Sequence, residues 1–138
     1  MPLPPVSQYI EATQRLFDEL PLAFSRHLFI TSDNLQSILE LKAAAEHRQW
    51  TVGFSHVFRM HNGFDFNQFL QHSSNGNRSI TIALLMQLMM SLECEAWVGT
   101  RGSNWNRLMD ELRCVWVDKC MQPFVEVGDI ARGSYEWR

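Results

Sequence analysis

The chain has 138 residues, 46% of them hydrophobic and 12% aromatic, with five tryptophans; this suits one compact domain with its own core and excludes an intrinsically disordered segment. A formal net charge of −3, with twelve scattered lysines and arginines, gives no electrostatic footprint for nucleic acid. Met1-Pro2-Leu3-Pro4-Pro5 lacks the basic flank and apolar run of a secretory signal.

After that proline-rich start, Ser7 to Leu20 has helical spacing, with Ile10, Leu16, Phe17 and Leu20 available for one face and Pro21 to end it. Leu28-Phe29-Ile30-Thr31 is a short β-prone run suited to a buried strand. Ser32-Asp33-Asn34 then offers cap residues before a helix predicted from Leu35 to Glu46, whose Leu35, Ile38 and Leu39 recur at three- and four-residue steps. Trp50 to Phe54 is the next strand. His56 to Asn77 has no clean period and reads as a long loop, with Phe58, Phe64, Phe66 and Phe69 packing it down.

Ile80 to Leu92 predicts a buried helix. It includes Thr81, Gln87 and Ser91 and falls short of the roughly 20 apolar residues a membrane span needs, so no membrane segment is expected. A strand from Ala96 to Gly99, a helix from Ser103 to Arg113 and a final strand over Cys114-Val115-Trp116-Val117 complete the pattern. Strands alternating with helices predict an α/β fold with a parallel sheet flanked by helices. Such sheets bind ligands beyond the carboxyl ends of their strands.

Two segments lie at such ends: Thr31-Ser32-Asp33 and Gly99 to Asn104. The second reads as strand, glycine-containing turn and helix start, where backbone amides and the helix dipole favour an anion such as a diphosphate. It matches neither the P-loop nor the GxGxxG fingerprint. Cys94, Cys114 and Cys120 form no CxxC pair and have no zinc spacing, so buried thiols are expected, with a disulfide as the alternative and at least one cysteine lacking an intramolecular partner. No metal or cofactor site is indicated. Asn77-Arg78-Ser79 matches the N-glycosylation sequon.

These segments resemble the eukaryotic α-1,6-fucosyltransferase family and, more distantly, the protein O-fucosyltransferases. Phe29-Ile30-Thr31-Ser32-Asp33 looks like the family's strand ending in Thr-Asp-Asp, with Ser32 replacing the first aspartate. Val98-Gly99-Thr100, Ser103-Asn104, Arg107 and Glu111 match its strand ending in Val-Gly/Cys-Thr and its Ser-Ser/Asn-Arg-x-x-x-Glu helix start. The resemblance runs from about Ser7 to Trp116. It implies a single Rossmann-like lobe over residues 1–138, like the carboxyl-terminal lobe of a two-lobed GT-B glycosyltransferase. The family's reaction is metal-independent, inverting transfer of fucose from GDP-fucose to a glycan hydroxyl, in the Golgi lumen.

By that resemblance Ser32, Asp33, Gln87, Thr100, Arg101, Ser103 and Asn104 form the GDP-fucose or GDP site. Asp33 would accept from ribose hydroxyls or guanine, or cap the helix; Ser103 and Asn104 would hold the diphosphate, or cap. Gln87 stands where the family carries an aspartate toward guanine, and keeps hydrogen bonding without the charge. Arg107 and Glu111 suit an intrahelical ion pair, and His61-Asn62 resembles a His-Asn of the family's loop. No His-x-Arg-Arg loop occurs in the 138 residues, so no catalytic residue is assigned, and the chain is expected to be a fragment or truncation that is inactive alone. The alternative is a non-catalytic α/β module that binds a nucleotide or a protein.

Overall fold

The computed structural model describes residues 4–21, 25–55, 67, 71, 78–100 and 102–128. Among them are four helices and four strands: α1 (Val6–Glu19), β1 (His27–Ile30), α2 (Leu35–His47), β2 (Thr51–Phe54), α3 (Arg78–Leu92), β3 (Trp97–Thr100), α4 (Asn104–Val115) and β4 (Phe124–Val127). The architecture is α/β, with strands paired in parallel as two two-stranded sheets, β1–β2 and β3–β4. The chain divides into two compact units, Ser25–Ser91 and the pair of segments Met1–Phe24 and Leu92–Arg138. The long loop expected over residues 56–77, including His61-Asn62 and the four phenylalanines, lies outside the described residues except for Asn67 and Gln71.

In the unit Ser25–Ser91, β1 and β2 run in register from His27↔Thr51 to Ile30↔Phe54, and α2 is the crossover between them, packed on both. Parallel pairing requires such a crossover, because a tight turn cannot reverse the chain twice. Asn34 starts α2: its side-chain oxygen accepts the Ser37 N–H at 3.1 Å, satisfying one of the orphan donors of the first turn. Ile38 and Ala45 are fully buried on the inner face, joined in the core by Ile30 and Trp50. The helix ends at Arg48 and Gln49. Gln49 takes φ 61°, and the Trp50 N–H reaches back to the Ala45 carbonyl.

In the other unit, β3 and β4 pair from Trp97↔Phe124 to Thr100↔Val127, with α4 as their crossover and α1 packed on both strands. Ile10, Ala12 and Leu16 of α1 are buried here, as are Trp97, Met109 and Val127. Pro5 precedes α1 in an extended conformation, and its carbonyl accepts the Gln8 N–H.

Two expectations are corrected in this unit. Cys114 to Val117 is not a strand. α4 continues through Val115, and the Trp116 N–H closes the last turn onto the Leu112 carbonyl. The β-prone Val-Trp-Val composition yields to the helix already running through it, and the strand comes after Pro123 instead. Nor are all three cysteines thiols, since Cys114 and Cys120 form a disulfide while Cys94 keeps its thiol.

Arg113 explains why that bridge closes. Its guanidinium, buried with the residue only 8% exposed, donates from one terminal nitrogen to the carbonyls of Lys119, Cys120 and Gln122 at 2.8, 3.0 and 2.8 Å. Its Nε pairs with Asp110 at 2.6 Å, and the group lies 5.3 Å from the centroids of both Trp97 and Phe124. The turn after α4 is thereby folded back beside Cys114. Lys119 extends the clamp to the loop before β3, donating to the Glu93 and Cys94 carbonyls and pairing with Glu95.

Candidate functional site

The segment expected to cradle an anion is a strand end, a turn and a helix start, as its sequence predicts. β3 ends at Thr100, whose carbonyl accepts the Ser103 N–H at 3.1 Å and the Asn106 side-chain amide at 3.1 Å. Both lone pairs of that carbonyl are therefore occupied within the turn. Gly102 sits at φ 78°, in the left-handed region that glycine adopts without a steric penalty. Arg101 lies outside the described residues.

Ser103 is the N-cap of α4. Its hydroxyl oxygen accepts the Asn106 N–H at 3.4 Å, and its carbonyl accepts the Arg107 N–H. The capping role weighed for Ser103 is thus filled, and its hydroxyl proton stays available for donation. Asn104, exposed, is the first helical residue. Among the described residues, the backbone N–H groups of Asn104 and Trp105 meet no acceptor, as the first turn of a helix leaves them. With the helix dipole behind them, those two amides and the Ser103 hydroxyl form a donor set that suits a phosphate or carboxylate oxygen.

Two further residues shape this turn without having been singled out in the sequence. Asn106 ties the helix back to the strand end. Tyr9 of α1 shares a hydrogen bond of 2.5 Å between its hydroxyl and that of Thr100, 91 residues away. No local pattern announces either contact, although the identity of Gly99 does hint at a close neighbour. A Cβ built there would stand 2.6 Å from the Asn106 side-chain nitrogen.

No family model, no curated protein and no solved structure matches this chain. The chemistry must accordingly be read from the residues themselves.

Ser32 and Asp33 follow the carboxyl end of β1, as expected. Ser32 accepts the Asn34 N–H at 3.1 Å on its hydroxyl, and Asn34, not Asp33, caps α2. The capping alternative for Asp33 therefore falls to its neighbour, and Asp33 itself is exposed. Gln87 lies on the buried face of α3, 5% exposed, and its backbone carbonyl accepts the Ser91 hydroxyl at 2.7 Å. Among the described residues no donor or acceptor meets its carboxamide, an unusual condition for a buried polar group. Ser32, Asp33 and Gln87 belong to the unit Ser25–Ser91, and Thr100, Ser103 and Asn104 to the other.

Arg107 and Glu111 are both exposed, and no ion pair joins them among the described residues, whereas Lys42 pairs with Glu46, Arg113 with Asp110 and Lys119 with Glu95. Among the described residues no three His, Cys, Asp or Glu side chains gather as metal ligands, and no helix is long and apolar enough to cross a membrane. Among the described residues one titrating group departs from its ordinary value. Burial pushes the Cys94 thiol up; the Lys119 ammonium opposes this, and Glu95 and Glu93 add to it.

Proposed function

We propose that this chain is the nucleotide-sugar-binding lobe of a fucosyltransferase-like glycosyltransferase with a Rossmann-like fold of the GT-B kind. The whole enzyme would transfer fucose from GDP-fucose to a glycan hydroxyl, and residues 1–138 would be inactive alone. The observation that carries the reading is the Thr100–Asn106 turn. A strand end, a left-handed glycine and a serine-capped helix leave two backbone amides and a hydroxyl proton together, and the nearest carbonyl is fully engaged. That donor set fits the diphosphate of GDP.

The resemblance assigns the nucleoside to Ser32, Asp33 and Gln87. A buried carboxamide without a partner supports a base-reading role for Gln87, since a ligand edge would supply the missing hydrogen bonds. In the transfer itself, a general base takes the acceptor proton while cationic groups stabilise the departing GDP. Neither part is assigned to a residue of this chain. The Cys114–Cys120 disulfide fits an oxidising compartment, in keeping with a Golgi lumen.

The decisive experiment removes one amide without disturbing the helix. Proline is tolerated at the first helical position, and the extended Ser103 before it is compatible with proline. Asn104→Pro should keep the helical signal yet weaken GDP binding about tenfold or more by calorimetry, because a hydrogen bond to a charged group contributes about 1.5–3 kcal/mol. Asn104→Ala serves as the side-chain control. GDP affinity unchanged by Asn104→Pro would overturn the cradle. Gln87→Asp should raise the preference for GDP over ADP, since only guanine offers a carboxylate two adjacent donors. Equal affinities would remove the guanine assignment.

A further inference from the structure

The last turn of α4 and the turn before β4 are joined twice, once through sulfur and once through hydrogen bonds. Cys114 and Cys120, six positions apart, carry the bridge. Arg113, the residue before Cys114, and Lys119, the residue before Cys120, carry the other connection. The Lys119 N–H donates to the Arg113 carbonyl at 2.7 Å, and the Gln122 N–H to the Lys119 carbonyl at 3.1 Å. In the opposite direction the Arg113 guanidinium donates to the Cys120 carbonyl itself at 3.0 Å. None of these bonds involves a sulfur atom. They do not depend on the bridge being closed, and they keep the two sulfur-bearing residues side by side.

The two sulfurs differ in access. Cys120 is exposed, whereas Cys114 is half-buried in the last turn of α4. Exchange depends on which sulfur a thiolate can reach, and here that is Cys120. Cys94 belongs to the same unit, and the Lys119 ammonium donates to its carbonyl at 3.2 Å. Burial pushes the Cys94 thiol up, so at neutral pH it holds its proton and is a poor nucleophile. The unit thus carries one accessible pair and one silent thiol.

We propose that Cys114–Cys120 is a redox-active pair that opens and closes in the folded protein, with Cys120 as the sulfur that meets external thiols and Cys114 as the one that resolves them. The chemical class it exchanges with is the small soluble thiol or dithiol and the corresponding disulfide. In opening, one thiolate of a dithiol attacks the Cys120 Sγ. The bond between the two Sγ atoms breaks, and Cys114 leaves as a thiolate that takes up a proton. The second thiolate of the dithiol then attacks the dithiol's own first sulfur in the mixed disulfide and releases Cys120. Two electrons pass from the dithiol to the pair, and the dithiol becomes a cyclic disulfide. Closing uses the same intermediate. The Cys120 thiolate attacks an external disulfide and expels one thiolate, then Cys114 attacks the Cys120 Sγ and expels the other. Because Arg113 and Lys119 hold the turn, the Cys114 thiol has no chain search to make, and closure outruns a second external thiol. A monothiol therefore leaves no lasting adduct, and a dithiol is needed to keep the pair open. This behaviour does not depend on the proposed nucleotide site.

Equilibration of residues 1–138 with reduced and oxidised dithiothreitol tests this, with alkylation and mass-spectrometric mapping of the thiols and far-ultraviolet circular dichroism on the same samples. Cys114 and Cys120 should become thiols together while the native dichroism persists, and closure should be favoured about tenfold or more over the same pair in denaturing urea. Cys114→Ser given oxidised glutathione should trap one glutathione on Cys120, and Cys120→Ser should load Cys114 about tenfold more slowly. Opened wild type given oxidised glutathione should end closed, with no adduct. Should either variant not fold, limiting alkylation of the opened wild type reads the same order, with Cys120 labelled before Cys114. Loss of the native dichroism on opening would overturn the reversible pair, as would closure no more favourable than in urea. Equal loading of Cys114 and Cys120, or loading of Cys94 ahead of Cys120, would overturn the role of Cys120. A lasting adduct on the wild type would overturn that of Cys114.

Discussion

Asn106 fills the space that a side chain on Gly99 would need. A Cβ at Gly99 would lie 2.6 Å from the Asn106 Nδ2 and 2.8 Å from its Cγ, and that same amide donates to the Thr100 carbonyl. Gly99→Ala should therefore expel Asn106 from the turn and destabilise the β3–β4 unit by about 1–3 kcal/mol. In an Asn106→Ala background the same change should cost under about 0.5 kcal/mol. A double-mutant cycle by urea denaturation reads the difference, and additive effects would show that the two residues do not compete.

Arg113 and the Cys114–Cys120 disulfide hold the same turn by different means. Arg113→Lys should cost about 2–4 kcal/mol, because an ammonium cannot reach three carbonyls and Asp110 while lying beside two rings. Replacing both cysteines by serine should cost about 2 kcal/mol, the chain-entropy value for so short a loop. Combined, the losses should exceed their sum, since either clamp keeps the turn in place for the other. Thermal melts of the three proteins, with and without dithiothreitol, check this.

Cys94 makes stability fall in alkali. Its pKa is raised in the folded state by burial, so below the ordinary thiol range both states hold the proton and the group contributes nothing. As pH climbs through the ordinary value, the unfolded thiol ionises first and the unfolded state gains. Denaturation midpoints measured from pH 7 to 10 should decline above about 8.5, the usual thiol value. Cys94→Ala should remove that part of the decline. Lys119→Met, which takes away the ammonium that opposes the shift, should steepen it.

Gln49 ends α2 in a left-handed conformation that glycine adopts without penalty. Gln49→Gly should stabilise the unit Ser25–Ser91 by about 0.5–1 kcal/mol, because the left-handed cost to a non-glycine residue exceeds the extra freedom glycine gains unfolded. A rise in melting temperature is expected, and a fall would show that the side chain of Gln49 contributes more than its backbone strain removes.

The predicted elements and the observed ones agree wherever periodicity and a cap coincide. The cap residues Ser32-Asp33-Asn34 before Leu35 and Ser103 before Asn104 marked both crossover helices, and the short apolar runs around Leu28, Val52 and Val98 were strands. The final strand was missed because Val115-Trp116-Val117 has the better β composition, whereas α4 had not yet finished its hydrogen bonds. Phe124-Val125-Glu126-Val127 was readable in retrospect as a short run after Pro123. Arg113 was hidden for a different reason. An arginine is read as a surface residue, and its partners are backbone carbonyls that only the folded turn assembles. The same holds for the candidate turn: its cap was legible, but the Tyr9 hydroxyl on Thr100 depends on a contact between residues 91 apart.

The division of the chain also sets an order of assembly. Ser25–Ser91 is continuous in sequence, so on a ribosome this unit has all its residues before β3 is made. The other unit is split. Ile10, Ala12 and Leu16 of α1 emerge first, yet the β3–β4 pair on which α1 packs is complete only at Val127. For roughly 100 residues of synthesis, at about 5–20 residues per second, that apolar stripe has no sheet to cover it. The apolar face of α1 is therefore one that a chaperone would meet bare until Val127 has been made.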